Sequence, residues 1–377
     1  MNRVCKIGAV IVACVVGSLP SAPVLACGGG GVTSQQLGVT TNAQRIFMSV
    51  RSTGTTDIVA QITVPQTTAD YGVLIPVPDE PTLDSEPVSA EDLDTLDLAS
   101  APVITKESDD SGGSGCGCIG AGSMAGGSKG SDRGVTVSSE TTIGPVVAVS
   151  LTADNPDAVR AWLTDNGFSV PDSQAATLYR YVGTGKYFIA IRRSQGAATG
   201  APSSIGVHYS LPGDHRMLSL GFTRIGAAAT IGVTLFLATT QVVGPSEPFK
   251  ALTLSDLDPV RLRDGDYTYA VQSAVAEHDW QAFVLESSRA FESIASAVPS
   301  LARLVDSNAV LTRATTVLAR ERIEADVIFG TPFAGNVPTQ RTVSLEGERV
   351  RYAGLGSLAL LLAAGALRRR SRLPSRE

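Results

Sequence analysis

This 377-residue sequence predicts a β-rich α+β fold with several helices, closed by a short C-terminal transmembrane helix. Three observations point there. Runs rich in β-branched residues recur at 45–50, 57–64, 142–151, 187–191 and 225–243, which is strand composition. Asn155, Pro156 and an apolar face of Ala158, Val159, Trp162 and Leu163 spell out a capped helix. An uncharged run at 353–367 ends on Arg368, Arg369 and Arg370.

In chain order, residues 1–26 read as a secretory signal peptide. Arg3 and Lys6 precede an uncharged stretch, Pro20 and Pro23 break it, and Val24-Leu25-Ala26 offers a small-residue cleavage site. The apolar core is shorter than the roughly 20 residues a span needs, and no stop-transfer cluster follows, so cleavage after Ala26 is expected. Cys27 then begins the mature chain and is open to lipidation, although Leu25 is bulkier than the residue a lipobox usually carries.

Residues 27–104 form an N-terminal β-rich part. The runs 45–50 and 57–64 flank Ser52-Thr53-Gly54-Thr55 in a hairpin pattern, and a third run at 71–75 meets Pro76-Val77-Pro78, where ladder bonding is expected to stop. Residues 79–97 are acidic and interrupted by proline. Residues 105–134, dominated by glycine and serine from 109 onward, cannot bury enough apolar surface to fold alone and read as an exposed insertion or linker.

Residues 135–352 form an α+β part. A strand at 142–151 precedes the capped helix, which Gly167 should stop, and a strand at 187–191 follows. The run 225–243 carries no charge and is about long enough to cross a membrane. Its Thr230, Thr234, Thr239, Thr240 and Gln241, with its β-branched centre, make it paired strands instead. Asp266 caps a helix over 267–277, 281–285 is a strand, and 289–304 and 309–324 are expected to be helical. Residues 353–367 would rise about 22 Å as a helix, short of a hydrocarbon core near 30 Å, so they make a marginal anchor or sorting segment. The basic tail 368–377, with Arg372 beside the three arginines, fits the cytoplasmic side and leaves everything upstream outside, in agreement with the leader.

Without its two ends the chain is strongly acidic. Residues 27–352 keep 23 Lys+Arg against 35 Asp+Glu, about twelve charges negative. That disfavours nucleic acid and an anionic lipid surface as partners.

Three cysteines survive processing: Cys27, Cys116 and Cys118. An exported location permits disulfides, and the glycine-rich backbone could bring either Cys116 or Cys118 to Cys27 or close a strained small ring between the two. A metal site needs more ligands than two thiolates, and a redox pair lacks a helix N-terminus to lower a thiol pKa. Gly115–Gly120 matches G-x-G-x-x-G but follows no strand and opens no helix, so the phosphate-cradling geometry is missing. Gly126–Gly130 matches G-x-S-x-G without a strand-to-helix elbow, and Gly183-Thr184-Gly185-Lys186 leads into a strand. The three histidines, His208, His215 and His278, show no metal-binding spacing. His208 lies in a strand, His215 in a turn, and His278 at a helix end as a capping charge. No catalytic residue, cofactor or metal ligand is assigned.

Ala26-Cys27-Gly28-Gly29, Gln44-Arg45-Ile46 and the run from Tyr71 to Pro78 resemble the bacterial exported family catalogued as domain of unknown function 2330. So do the run from Trp162 to Phe168, the stretch 181–192, Leu311-Thr312-Arg313 and Asp326-Val327-Ile328-Phe329. Their order carries the resemblance. It implies an envelope or secreted protein, often with a C-terminal anchor, and it implies no activity. The expectation is an exported, membrane-anchored envelope protein that binds or scaffolds an envelope protein or glycan. An envelope hydrolase or thiol-redox enzyme is the alternative.

Overall fold

The computed structural model describes residues 30–33, 41–64, 71–106, 134–153, 155–166, 172–182, 187–194, 203–225, 227–339, 342–346 and 349–352. The leader 1–26, the apolar run 353–367, the basic tail, the glycine-rich motifs, Gly167 and Cys27, Cys116 and Cys118 lie outside them. No helix among the described residues is long and apolar enough to cross a membrane.

The chain begins with β1 (Gly30–Thr33), β2 (Thr41–Val50), β3 (Thr55–Val64), β4 (Tyr71–Val77) and β5 (Thr82–Leu83), then α1 (Ala90–Ser100) and β6 (Val103–Lys106). Next come β7 (Val135–Ile143), β8 (Val146–Ala153), α2 (Pro156–Asp165), α3 (Asp172–Val182), β9 (Tyr187–Arg193), β10 (Ser203–Pro212), β11 (Met217–Leu218), α4 (Leu220–Thr223) and β12 (Ala227–Thr239). The last part runs β13 (Val243–Pro245), β14 (Lys250–Thr253), α5 (Pro259–Asp264), α6 (Tyr267–Ala276), β15 (Ala282–Ala290), α7 (Glu292–Ala295), α8 (Pro299–Ala302), β16 (Val310–Ala319), β17 (Val327–Pro332), β18 (Thr342–Glu346) and β19 (Arg349–Tyr352).

Two large sheets dominate. One has the order β14-β15-β16-β12-β2-β3-β10-β5, the other β1-β4-β9-β8-β7. Both sheets contain strands from before and from after the glycine-rich stretch, so the two parts share their cores. Alternation along each strand then decides the layers. Ile46, Met48, Ile58 and Ala60 of the larger sheet join Val73, Ile75, Ile189 and Ile191 of the smaller in one buried cluster, so these faces pack together as a sandwich. The opposite face of the larger sheet, with Phe47, Val59, Phe236 and Leu311, is covered by Leu93 and Leu96 of α1, Ile294 of α7 and Leu301 of α8. The opposite face of the smaller, with Leu74, Val149 and Phe188, is covered by Val159 and Trp162 of α2 and Leu178 of α3. The order of layers is helix, sheet, sheet, helix.

Local chemistry explains most elements. The Asn155 side chain accepts the N–H of Asp157 at 2.8 Å and Pro156 opens α2, as expected. Asp266 caps α6. Ser89 accepts the N–H of Glu91 and starts α1, a helix hidden in the acidic stretch 79–97. Gly144, at a φ of 54°, turns the chain between β7 and β8, dividing what read as one strand at 142–151.

Three expectations need correction. Pairing does not stop at Pro76: Pro76 and Val77 lie opposite Phe188 and Tyr187 of β9. They lie past Leu74, the last residue of β4 paired with β1 among the described residues, so no described ladder on that side needs the missing N–H. The helix expected over 309–324 is β16, held between β12 and β15 with both its faces buried. Its alanines, leucines and arginine favour a helix, but two covered faces and Thr312, Thr315, Thr316 and Val317 suit a central strand, and packing overrides propensity. The helix expected over 289–304 is the end of β15 followed by two single turns, α7 and α8. The uncharged run 225–243 is mostly one long strand, β12, paired on both sides.

Candidate functional site

Two clusters of titratable side chains lie on the helix-covered face of the larger sheet. In the β3–β10 ladder His208 stands opposite Val59, and Asp57 opposite Ser210. Asp57, Val59 and Gln61 alternate onto the side facing the helices, so His208 points there too. The short β5 brings Asp84 alongside, and the Asp84 N–H bonds the His208 carbonyl. The imidazole is thereby held at both ends: Nε2 lies 2.9 Å from Asp57 Oδ1 and Nδ1 lies 3.0 Å from Asp84 Oδ2. Arg303 donates to Asp84 at 3.0 Å, Arg51 to Asp57 at 3.4 Å, and the Ser52 N–H to Asp306 at 2.7 Å.

The His208 and Asp57 side chains are 9% and 6% exposed, while Asp84 at 27% still touches solvent. Burial alone would raise the Asp84 carboxyl. The Glu86 N–H, His208 and Arg303 outweigh burial and bring it down to about 2. Asp306 is held below the usual carboxylate value, chiefly by the Ser52 N–H. Each ring nitrogen therefore has a carboxylate oxygen within hydrogen-bond distance, and both are engaged inside the fold. The side chains bonded to the ring are carboxylates, and no nucleophile stands among them. The arrangement binds β10, β3 and β5 to the segment after α8.

A second network lies deeper. Arg313 of β16 donates to Glu286, to Asp97 of α1, and to Ser100 Oγ at 3.3 Å, and its guanidinium lies 5.3 Å from the Phe236 ring centroid. Tyr267 donates to the other Glu286 oxygen, and Arg45 Nη2 reaches Asp97 at 2.8 Å. Glu286 is 0% exposed and Arg313 9%. Burial would lower the Arg313 pKa, but Glu286 and Asp97 raise it above its usual value, and burial with Glu286 pushes Tyr267 well up. Every charge has a partner of opposite sign, as a buried network requires.

The other histidines are placed as the sequence suggested. His215 sits in the turn after β10, with Nε2 at 2.6 Å from the Pro212 carbonyl and 3.0 Å from Asp79. His278 is exposed at the end of α6. Among the described residues no group of three or more His, Cys, Asp or Glu could hold a metal ion. Sequence reading missed the partners of His208, but a signal was there: Asp57 and Gln61 share the parity of buried Val59 in β3, and a polar residue at an inward position needs a partner.

A narrow apolar slot of about 30 Å³ lies between the two sheets near Met48, Val77 and Met217, room for little more than water. A second, open cleft of about 530 Å³ lies along one side of the sandwich.

A family model described as an uncharacterized protein conserved in bacteria (DUF2330) matches residues 23–244, more than half of the chain, and the chain belongs to that family. No curated protein matches it. Among solved structures, the crystal structure of baculovirus P35 is similar at 10% identity and a TM-score of 0.28, over 53% of this chain and 65% of that one. The chain thus spans less than two thirds of the length of that structure.

Proposed function

We propose that this family member is an exported, membrane-anchored protein of the bacterial cell envelope, and that its folded part lies outside the cytoplasm and binds or scaffolds another envelope component, protein or glycan. The observation that carries the binding reading is the engagement of both His208 nitrogens by Asp57 and Asp84, which turns the best-equipped catalytic side chain into a tie. The Arg313 network is likewise consumed internally. A leader, an apolar C-terminal run with arginines after it, and an acidic middle support the location.

Fractionation of cells carrying a chain tagged within residues 107–133 tests the location. The expected product sediments with the envelope, begins at Cys27 and is digested by protease added from outside the cytoplasmic membrane. An intact chain beginning at Met1 in the soluble cytosol would sink the reading. Chemical crosslinking on intact envelopes tests the binding part, with discrete adducts expected and a purely monomeric band counting against it.

A further inference from the structure

We propose that the open cleft along the side of the sandwich binds a short neutral saccharide; this deepens the binding role proposed above and rests on it. The cleft encloses about 530 Å³, a size at which small-molecule sites occur (about 300–1,000 Å³). It lies where β5 and the end of β10, at one margin of the larger sheet, meet β7, at a margin of the smaller.

β7 is shaped toward this cleft. Val135 and Val137 pack with the α2 and α3 layer, whereas Ile143 belongs to the core between the sheets. Strict alternation would send all three the same way. A register shift between Val137 and Ser139 turns the strand over, so Ser139 and Thr141 share the side of Ile143 and line the cleft. Such bulges re-aim side chains at sheet margins. The Ser139 hydroxyl has no hydrogen-bond partner among the described residues, a condition it shares with several other serines and threonines of the fold, so its part in the cleft rests on its place in the lining.

Thr55, Thr82 and Ser210 add further hydroxyls to the lining and Glu80 a carboxylate, with proline and leucine side chains among them. Hydroxyls donate and accept, so they suit a ligand that does both. Among the described residues no lysine, arginine or histidine lines the cleft, so a phosphate or carboxylate would find no counter-charge from them. A sugar ring, with hydroxyls at its rim and C–H faces between, matches both the polar and the apolar wall. An extended peptide could pair with the edge of β7 that no described strand occupies, but its backbone would leave the hydroxyls inside the gap unanswered.

The test is titration calorimetry on the full chain in detergent with maltotriose, cellotriose and tri-N-acetylchitotriose, and with each variant's melting temperature measured in parallel. At least one trisaccharide should bind, and Ser139→Val and the exposed Glu80→Gln should each weaken it about tenfold at unchanged melting temperature. Asn155→Ala, on the far side of the smaller sheet, should leave it unchanged. Failure of all three sugars to bind, or binding indifferent to both cleft variants, would overturn the assignment. So would protection of β7 amides by an extended peptide with no response to sugars. Fractionation and crosslinking read location and partners independently, so failure here leaves the envelope reading standing.

Discussion

Arg313 and His208 occupy the same face of the larger sheet beneath the same helical layer, but at different depths. Arg313 meets the fully buried Glu286 and an Asp97 that is 20% exposed, whereas His208 meets Asp57 and Asp84 at a margin where Asp84 and Arg303 are 27% and 36% exposed. The deep network has to be complete, because each unpaired ion there would be stranded in low dielectric. The shallow one can share its cost with water, and its strength follows the charge state of its members. Depth therefore sets how much each network contributes to holding the helices down.

The sharpest way to break the comparison is Arg313→Met. It leaves Glu286 without a counter-charge and Asp97 with Arg45 alone, and denaturant unfolding should show a loss of about 3–5 kcal/mol. Changing Glu286 and Asp97 to apolar residues in that background should recover part of it. His208→Ala leaves Asp57 with only the longer Arg51 contact and should cost about 1–3 kcal/mol by the same measurement.

Acid should weaken the shallow network. Asp84 titrates below its unfolded value near 3.8, so its contribution is fully present above about pH 4 and is lost as the pH falls toward 2, and Asp306, also held below its ordinary value, changes in the same direction. Thermal melts of wild type and Asp84→Asn at pH 7, 4 and 2.5 should differ most at pH 7 and converge at the lowest pH. Constant separation would contradict the assignment. Smallest of all, Arg303→Ala removes a solvent-touched pair and should cost no more than about 1 kcal/mol.

Much of the fold was legible in the sequence where local chemistry decides it. Asn155-Pro156 and Asp266 announce their helices, and Ser52-Thr53-Gly54-Thr55 its hairpin, because caps and turns are written in neighbouring residues. β16 was not legible: its alanines, leucines and arginine suit a helix until β12 and β15 enclose it. Nor was α1, whose cap Ser89 sits in an acidic, proline-broken stretch and whose Leu93 and Leu96 acquire meaning only once they cover Phe47 and Phe236. His208 was visible as a strand residue, but Asp57 and Asp84 reach it from 151 and 124 positions away, a pairing that no short window contains. The bulge that turns Ser139 is hidden for the same reason, since only the β8 ladder reveals it.

The claim on which the rest depends is that these charge clusters hold the fold together and leave function to the surface. A double-mutant cycle between His208→Ala and Asp57→Ala in urea unfolding tests it most directly. The account predicts that each single change destabilises and that the pair couples by about 1–3 kcal/mol. Single changes that leave stability unchanged or raise it, with no coupling, are what a residue kept for chemistry would give, and they would contradict the account.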